Sequence, residues 1–194
     1  RVGKKYGGDA LVSADPHGKG TLFYDRISQD NVPLQKYVRW AETMHGDEAL
    51  EAVHHVELLE DVLGDHEIIH ISFSGTCDSM AALQTVLSEE LGDLVTLLAT
   101  VYPSLDFTLL DILPAETSKG SGVGRLASVN QIERDQIMAI GDNYNDLDML
   151  HIAGTPVIMG NADDDLLHSD KYHRTATNNE FGVARAIERF ILNV

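Results

Sequence analysis

The sequence predicts an α/β protein in which two patterns of secondary structure follow one another. Over residues 1–112, β-like runs and helical stretches occur in an order that favours an α+β layer, with helices on one face of a largely antiparallel sheet. Over residues 113–194, short apolar runs alternate with helical stretches, which is typical of a parallel sheet with crossover helices. We therefore place a domain boundary near residue 112.

The first part begins with two short β-like runs, at residues 10–12 and 21–24. The segment between them contains proline and glycine and favours a hairpin turn. Asp15 follows the first run, where it could be a nucleophilic aspartate. Because Pro16, His17 and Gly18 come directly after it, a solvated turn is the favoured interpretation.

The other elements of the first part are assigned from the spacing of their apolar residues. Helical spacing predicts helices over residues 33–44 and 80–91, and an acidic helical stretch from 47 to about 63. Two strands are predicted at residues 94–101 and 107–113. None of these segments carries an obvious catalytic pattern.

One zinc-binding pattern occurs in the first part, because His66, Glu67 and His70 match H-E-x-x-H. On a helix, the two histidines of this motif share one face and can bind zinc, so a zinc hydrolase is an alternative function. The run 68–73 is rich in β-branched and aromatic residues, which favours a strand. A strand would place the histidines about 13 Å apart, too far to share a metal.

The second part begins with Ser118, which we expect to cap a helix that starts at Lys119. The elements after it alternate in type. The predicted strands lie at 137–140, 156–159 and 172–175, and the predicted helices at 145–152, 162–168 and 182–192.

The polar stretch 141–146 follows the predicted strand 137–140 and contains two aspartates and two asparagines. Ligands bind at the carboxyl ends of strands in open α/β sheets, and these side chains could hold Mg²⁺ through oxygen atoms. A capped loop is the alternative interpretation, because Asn and Asp are common N-caps. Lys119 would add positive charge beside the free N–H groups of a helix N-terminus, although a lone lysine is commonly a solvated surface residue.

Composition limits the partners and the compartment. The chain has 31 acidic and 14 basic residues and a net charge of −17, which argues against binding nucleic acid or an anionic membrane through its overall field. Cys77 is the only cysteine, so an internal disulfide is excluded and a reducing compartment, the cytoplasm, is expected. No apolar run reaches the roughly 18 residues of a membrane helix.

Three motifs in order resemble the haloacid dehalogenase (HAD) superfamily, in particular its Cof-type, large-cap sugar-phosphatase branch. They are Ser118-Lys119-Gly120, the G-D-x-x-N-D of residues 141–146, and Met159-Gly160-Asn161-Ala162 followed by residues 175–183. The resemblance implies that residues 113–194 form the C-terminal half of a HAD-like Rossmannoid core. It also implies that residues 1–112 are an α+β cap domain with its leading strand.

The resemblance further implies a magnesium-dependent phosphatase that acts on a small phosphorylated metabolite, such as a sugar phosphate, through an aspartyl-phosphate. The implied site consists of Lys119 and Asp146 as catalytic residues, Lys119 and Asn145 at the phosphate, Asp142 at Mg²⁺, and Asn161 and Asn178 at the site mouth. Asp146 would orient Lys119 or the waters of the metal.

The sequence departs from the family pattern, since it contains no D-x-D-G-T motif to supply the nucleophile and lacks the Ser or Thr phosphate-binding motif expected between the nucleophile and the cap. We expect the nucleophile to lie in a segment that was cleaved, disordered or omitted, and the 194 residues alone to show negligible turnover. The alternatives are a catalytically inactive module that binds phosphate and metal, and a half-enzyme completed by another chain. A homo-oligomer also stays open as a partner prediction.

Overall fold

A computed structural model describes residues 2–18, 20–45 and 52–193 of the chain. The chain divides into two compact units, Arg1–Ala115 and Glu116–Val194, called here the N-terminal unit and the C-terminal unit. The division falls close to the boundary that we expect near residue 112. The function of the N-terminal unit as a cap stays a prediction.

The N-terminal unit is built on a six-stranded sheet with the strand order β3-β2-β1-β4-β6-β5. Its strands are β1 Asp9–Ala14, β2 Thr21–Tyr24, β3 Val53–His55, β4 Ile68–Gly75, β5 Val95–Tyr102 and β6 Phe107–Pro114. Neighbouring strands are antiparallel except for the parallel pair β2 and β3. The predicted hairpin and the largely antiparallel sheet are confirmed.

Helices cover both faces of this sheet, whereas the sequence predicted helices on one face. The helices are α1 Val2–Lys5, α2 Val32–His45, α3 Leu59–Asp65 and α4 Cys77–Leu91. Residues of α3 and α4 pack with Val12 of β1, while residues of α2 pack with Leu11. Consecutive strand residues point to opposite faces, so β1 is buried on both sides and each face needs its own helices.

The predicted acidic helix from 47 to about 63 is wrong over Val53–His55 and confirmed at its end, where Leu59–Asp65 is helical. Residues 46–51 lie outside the described residues, and Val53–His55 forms β3 instead, with Val53 buried beside Leu22 of β2. Helix α3 then begins at Leu59. Strand pairing at the edge of the sheet overrides the local helical pattern of these residues.

The strand interpretation of the H-E-x-x-H segment is confirmed. Strand β4 begins at Ile68 and contains His70, so the two histidines do not share a helix face. His66 contacts Asp15 at 3.1 Å and His70 lies 3.9 Å from Asp111. Within the described residues, no group of three or more His, Cys, Asp or Glu could hold a metal ion. The zinc-hydrolase alternative therefore loses its structural basis.

The C-terminal unit has the predicted alternation of helices and parallel strands. Its elements are α5 Lys119–Asn130, β7 Met138–Gly141, α6 Leu147–Ile152, β8 Thr155–Ile158, α7 Asp164–Leu167, β9 His173–Arg174 and α8 Gly182–Ile187, which continues as a π-helical turn Glu188–Leu192. The strands form one sheet in the order β7-β8-β9. Ala139, Leu150 and Ile158 are among its buried core residues. In the described parts of both units, the helices are too short or too polar to cross a membrane.

The core of the N-terminal unit gives a first test of the fold. Leu83 of α4 is 0% exposed, whereas Leu63 of α3 is 47% exposed. We expect Leu83→Ala to lower the free energy of unfolding by roughly 2–5 kcal/mol, because a buried leucine loses both burial and packing. The matched substitution Leu63→Ala should cost less than about 1 kcal/mol in the same urea titration. Equal losses for both variants would contradict the assignment of α4 to the core.

Candidate active site

The polar stretch after β7 folds around the carboxylate of Asp146, which is only 5% exposed. Asp142 and Asn143 lead from the strand into a 3-10 turn, Tyr144–Asp146. The Oδ2 atom of Asp146 accepts the N–H groups of Asp142 at 3.0 Å and of Asn143 at 3.3 Å. The predicted helix therefore begins two residues late, at Leu147, because this turn precedes it.

Lys119 supplies the other partner of Asp146. Its Nζ donates to Oδ1 of Asp146 at 2.5 Å, and the lysine side chain is 46% exposed. A buried carboxylate needs both hydrogen bonds and an opposite charge to offset its desolvation. Asp146 has both, so the first residue of α5 is fixed beside the carboxyl end of β7 while nearly half of its side chain stays exposed.

Asp148 makes a second connection between the same two segments. Its Oδ2 accepts the N–H of Gly120 at 2.9 Å, one residue after Lys119. Burial disfavours the charge of Asp148, but hydrogen bonds from the Ser118 hydroxyl and from the Gly120 and Met149 amides outweigh it and hold the pKa of this carboxyl below its usual value. Asp146 and Asp148 together hold the start of α5 in place.

The sequence predicts free N–H groups at the start of α5 that could bind an anion. In the structure, three of these N–H groups are already hydrogen-bonded. The Ser118 side chain accepts from the Ser121 N–H at 3.0 Å, as the predicted cap, and the Gly122 N–H donates to the Ser118 carbonyl. Asp148 takes the Gly120 N–H. A phosphate at this position would therefore meet the ammonium group of Lys119 rather than these three amides.

Two glycines allow the close approach of these segments. An added Cβ at Gly141 would lie 2.5 Å from the Cβ of Asp146, and one at Gly120 would lie 2.9 Å from the backbone C and O of Asp148. Neither distance is compatible with a real Cβ contact. Glycine is needed at both positions because the two aspartates occupy the space of a side chain.

Asp142, Asn161 and Asn178 form a second group at the same sheet edge. Asp142 is exposed, and its Oδ2 accepts from Nδ2 of Asn161 at 3.4 Å. Oδ1 of Asn161 accepts the N–H of Asn178 at 2.8 Å. The Met159 N–H donates to the Gly141 carbonyl at 3.0 Å, which joins the ends of β7 and β8. Asn145 lies in the turn between Tyr144 and Asp146.

Tyr144 belongs to the same turn and was missed by the sequence analysis. Its hydroxyl donates to Oδ1 of Asp163 at 3.1 Å and to Oδ2 of Asp165 at 3.3 Å. The hydrogen bond to Asp163, with desolvation and the charges of both aspartates, raises the pKa of Tyr144 to about 12. The run of three aspartates at 163–165 did not point to this contact, because all three residues are exposed and exposed carboxylates are commonly solvated.

The donor chemistry of the turn fits Mg²⁺ in part. This ion prefers oxygen ligands and is commonly bound through one or two carboxylates, with waters and substrate phosphates completing its shell. Asp142 offers an exposed carboxylate, whereas Asp146 is committed to Lys119 and two amides. Asp142 is therefore the residue of this turn that would hold the ion.

A sequence profile of the family described as haloacid dehalogenase-like hydrolase matches residues 16–187. The chain belongs to this family. The match includes Lys119, the turn after β7 and the Asn161 and Asn178 loops, so the residues that carry the resemblance lie within the matched region.

Two proteins with sequences similar to this chain come from Bacillus subtilis. YxeH, provisionally named a phosphatase, is 33% identical over 138 residues, which cover 71% of this chain and 49% of YxeH. The 5-amino-6-(5-phospho-D-ribitylamino)uracil phosphatase YwtE is 40% identical over 83 residues, or 43% of this chain and 29% of YwtE. The chain therefore spans about half the length of YxeH, and its match to YwtE covers less.

Solved structures share the fold of this chain. A haloacid dehalogenase-like hydrolase from B. subtilis superposes with a TM-score of 0.73 at 19% identity, covering 97% of this chain and 67% of that one. TM0651 from Thermotoga maritima gives 0.66 at 24% identity, covering 96% and 62%. The predicted superfamily and α/β fold class are confirmed.

The structure brings the predicted site residues together in two groups: Lys119 contacts Asp146, and Asn161 contacts both Asp142 and Asn178. Their roles at a phosphate or a metal stay predictions. Asp15, the alternative nucleophile, lies in the N-terminal unit, in the turn after β1 with a φ of 62°. Its carboxylate contacts His66, which agrees with the turn interpretation.

Gly141 tests the packing of this turn. We expect Gly141→Ala to destabilise the C-terminal unit by roughly 1–3 kcal/mol, because the new methyl group overlaps Asp146. Gly122→Ala is the matched control, since an added Cβ there meets nothing within 4 Å and helix α5 gains a better helix former. Urea unfolding followed through the amide NMR signals of residues 138–166 measures both. Equal stability of the two variants would contradict the close approach.

The lowered pKa of Asp148 predicts how the free energy of unfolding depends on pH. Its pKa is lower in the folded chain, so its stabilising contribution is present above the unfolded value and is lost as the pH falls through the folded value. The unfolded value is about 3.9. We expect the stability advantage of the unmodified chain over Asp148→Asn to shrink as the pH falls below about 4. A difference that stays constant from pH 7 to about pH 2 would rule out this linkage.

Proposed function

We propose that this chain supplies the phosphate- and magnesium-binding part of a phosphoric monoester hydrolase. Its substrate is a small phosphorylated metabolite, such as a sugar phosphate, and the reaction passes through an aspartyl-phosphate. The observation that carries the proposal is the ammonium group of Lys119, held by Asp146 at the carboxyl end of β7 beside the exposed Asp142. Membership of the family and the similarity to the phosphatase YwtE support the same reaction class.

The charge distribution of the chain agrees with this assignment. A phosphate monoester is an anion, and a chain with a net charge of −17 repels it unless a local positive charge is available. Lys119 provides that charge, with nearly half of its side chain exposed. Because the N–H groups of Gly120 and Ser121 are occupied, this single ammonium group carries the attraction on the α5 side.

Phosphoryl transfer requires alignment and charge neutralisation more than covalent help from the protein. Lys119 would neutralise the phosphoryl oxygens, with Asp146 holding its ammonium group in place. Asp142 would hold Mg²⁺, which when bound supplies further positive charge to the same oxygens. Asn145 would donate to the phosphate, and Asn161 and Asn178 would line the mouth of the site.

The nucleophile is proposed to come from outside these 194 residues. The sequence has no D-x-D-G-T motif, and the carboxylate of Asp15 contacts His66 within the N-terminal unit. A further segment, either of the same chain or added in trans, would then complete the site. The partners expected are that segment and the phosphorylated substrate.

An activity assay tests whether the nucleophile comes from outside the 194 residues. The 194-residue chain and a chain extended at its N-terminus by a segment with a D-x-D-G-T motif are compared on p-nitrophenyl phosphate with Mg²⁺. We expect turnover only from the extended chain, because only it has an attacking carboxylate. Asp142→Ala should lower that turnover by roughly 100-fold or more through loss of the metal. Asp170→Ala, which changes an exposed aspartate of the same unit, should leave it unchanged.

Two results would contradict the proposal in different ways. Robust phosphatase activity of the 194 residues alone would place the nucleophile inside them, and loss of that activity in Asp15→Asn would identify it. Protection against thermal unfolding by Mg²⁺ and phosphate, without turnover in either chain, would instead identify a catalytically inactive binding module.

A further inference from the structure

Side chains join the turn after β7 to the loop after β8 at two points. Asp142 accepts from Nδ2 of Asn161, and the hydroxyl of Tyr144 donates to Oδ1 of Asp163 at 3.1 Å. The two residues on each side are two positions apart, so the contacts lie next to each other along both segments. The Tyr144 contact therefore fixes the loop close to the residue that reaches Asp142.

The contact between Asn161 and Asp142 is weak when taken alone. Its N···O distance of 3.4 Å is at the long end for a hydrogen bond, and both residues are exposed. Such a hydrogen bond competes with water and holds two exposed side chains only loosely. Asn161 therefore needs other contacts to fix its position if its amide is to orient the carboxylate.

The backbone of the loop after β9 fixes which way the Asn161 amide faces. The N–H of Asn178 donates to Oδ1 of Asn161 at 2.8 Å. A backbone N–H can only donate and an ionised carboxylate can only accept, so one orientation of the amide serves both neighbours. In that orientation Oδ1 faces Asn178 and Nδ2 faces Asp142. The direction of the amide is thereby set, and its distance from Asp142 depends on where the loop after β8 lies.

Tyr144 holds this loop to the turn through its hydroxyl group. The hydroxyl lies between Oδ1 of Asp163 and Oδ2 of Asp165, at 3.1 and 3.3 Å. Hydrogen bonds to carboxylates are stronger than those between neutral groups. The Asp163 carboxylate also accepts the N–H of Asp165 at 3.1 Å, as the N-cap of α7. The hydroxyl is therefore bound to the first turn of a helix rather than to one free side chain.

The exposed ring of Tyr144 separates this contact from core packing. The residue is 47% exposed and does not belong to the core cluster that the structure describes in the C-terminal unit. Removal of its hydroxyl therefore leaves no cavity in that core. An effect of this removal at Asp142 can thus be told apart from a general loss of stability.

We infer that Tyr144 is a positioning residue for Asp142: its hydroxyl fixes the loop after β8, and Asn161 in that loop then orients the Asp142 carboxylate for Mg²⁺. The inference rests on the proposed binding of Mg²⁺ by Asp142 and extends it to a residue that acts through its neighbours. Removing a partner that orients a metal ligand typically weakens metal binding by roughly 10- to 100-fold. Tyr144 acts one contact further away, so a smaller effect is expected from it.

A titration of the 194-residue chain with Mg²⁺ tests this role. The amide NMR signals of residues 141–146, followed at constant ionic strength, measure the dissociation constant of the ion on the folded chain. We expect Tyr144→Phe to raise this constant roughly threefold to tenfold, and Asn161→Ala to raise it roughly tenfold or more. Tyr144→Phe combined with Asn161→Ala should raise it no further than Asn161→Ala alone, because Tyr144 acts through Asn161.

Tyr172→Phe is the matched control for the loss of a hydroxyl. Tyr172 directly precedes β9, at the amino ends of the strands, and its hydroxyl contacts Nε2 of His151 at 3.2 Å, so this variant should bind Mg²⁺ like the unmodified chain. Unchanged affinity in Tyr144→Phe, or losses that add up in the double variant, would overturn the inference and leave the magnesium site in place. Absence of Mg²⁺ binding, or binding that persists in Asp142→Ala, would overturn the proposed site and the inference with it.

Discussion

The ion pair between Lys119 and Asp146 is the interaction on which the C-terminal unit depends most. Asp146 is only 5% exposed, and burial of a carboxylate is costly unless it is paired and hydrogen-bonded. Among the described residues, its partners come from two segments of the chain. Lys119 approaches from the start of α5, while the Asp142 and Asn143 amides approach from the end of β7. The same contact therefore shapes the turn, fixes the helix and leaves one ammonium group at the end of the strand.

Several local features follow from that constraint. Gly141 has to be glycine because Asp146 folds back over it. Gly120 has to be glycine because the backbone of Asp148 packs against the start of α5. Asp148 in turn occupies the Gly120 N–H. The positive charge of the site consequently comes from the side chain of Lys119. The exposed carboxylate of Asp142 contacts neither Lys119 nor the amides that bind Asp146, and accepts from Asn161 instead.

Local signals in the sequence were sufficient for the parts of the fold that short-range chemistry decides. The apolar run before Gly141 predicted β7, Ser118 predicted the cap of α5, and the β-branched run after Glu67 predicted β4 against a helical motif. Long-range pairing decided the rest. Strand β3 exists because Val53 pairs with β2, and β1 takes helices on both faces because it lies between β2 and β4.

The site shows the same division between local and long-range information. The spacing of G-D-x-x-N-D marks the turn, but it does not reveal that Tyr144 reaches Asp163 and Asp165 across the sheet edge. Nor does it reveal that Asp148 takes an amide of α5. Such contacts depend on the direction in which side chains leave a folded turn, and a linear pattern does not contain that direction.

A double-mutant cycle on Lys119 and Asp146 tests the central claim most directly. The free energy of unfolding is measured for the unmodified chain, Lys119→Met, Asp146→Asn and the double variant, through amide NMR signals of the C-terminal unit. A charge-assisted hydrogen bond to a buried carboxylate predicts a coupling energy of about 1.5–3 kcal/mol. A coupling energy near zero would show that the two residues act independently and would contradict the account.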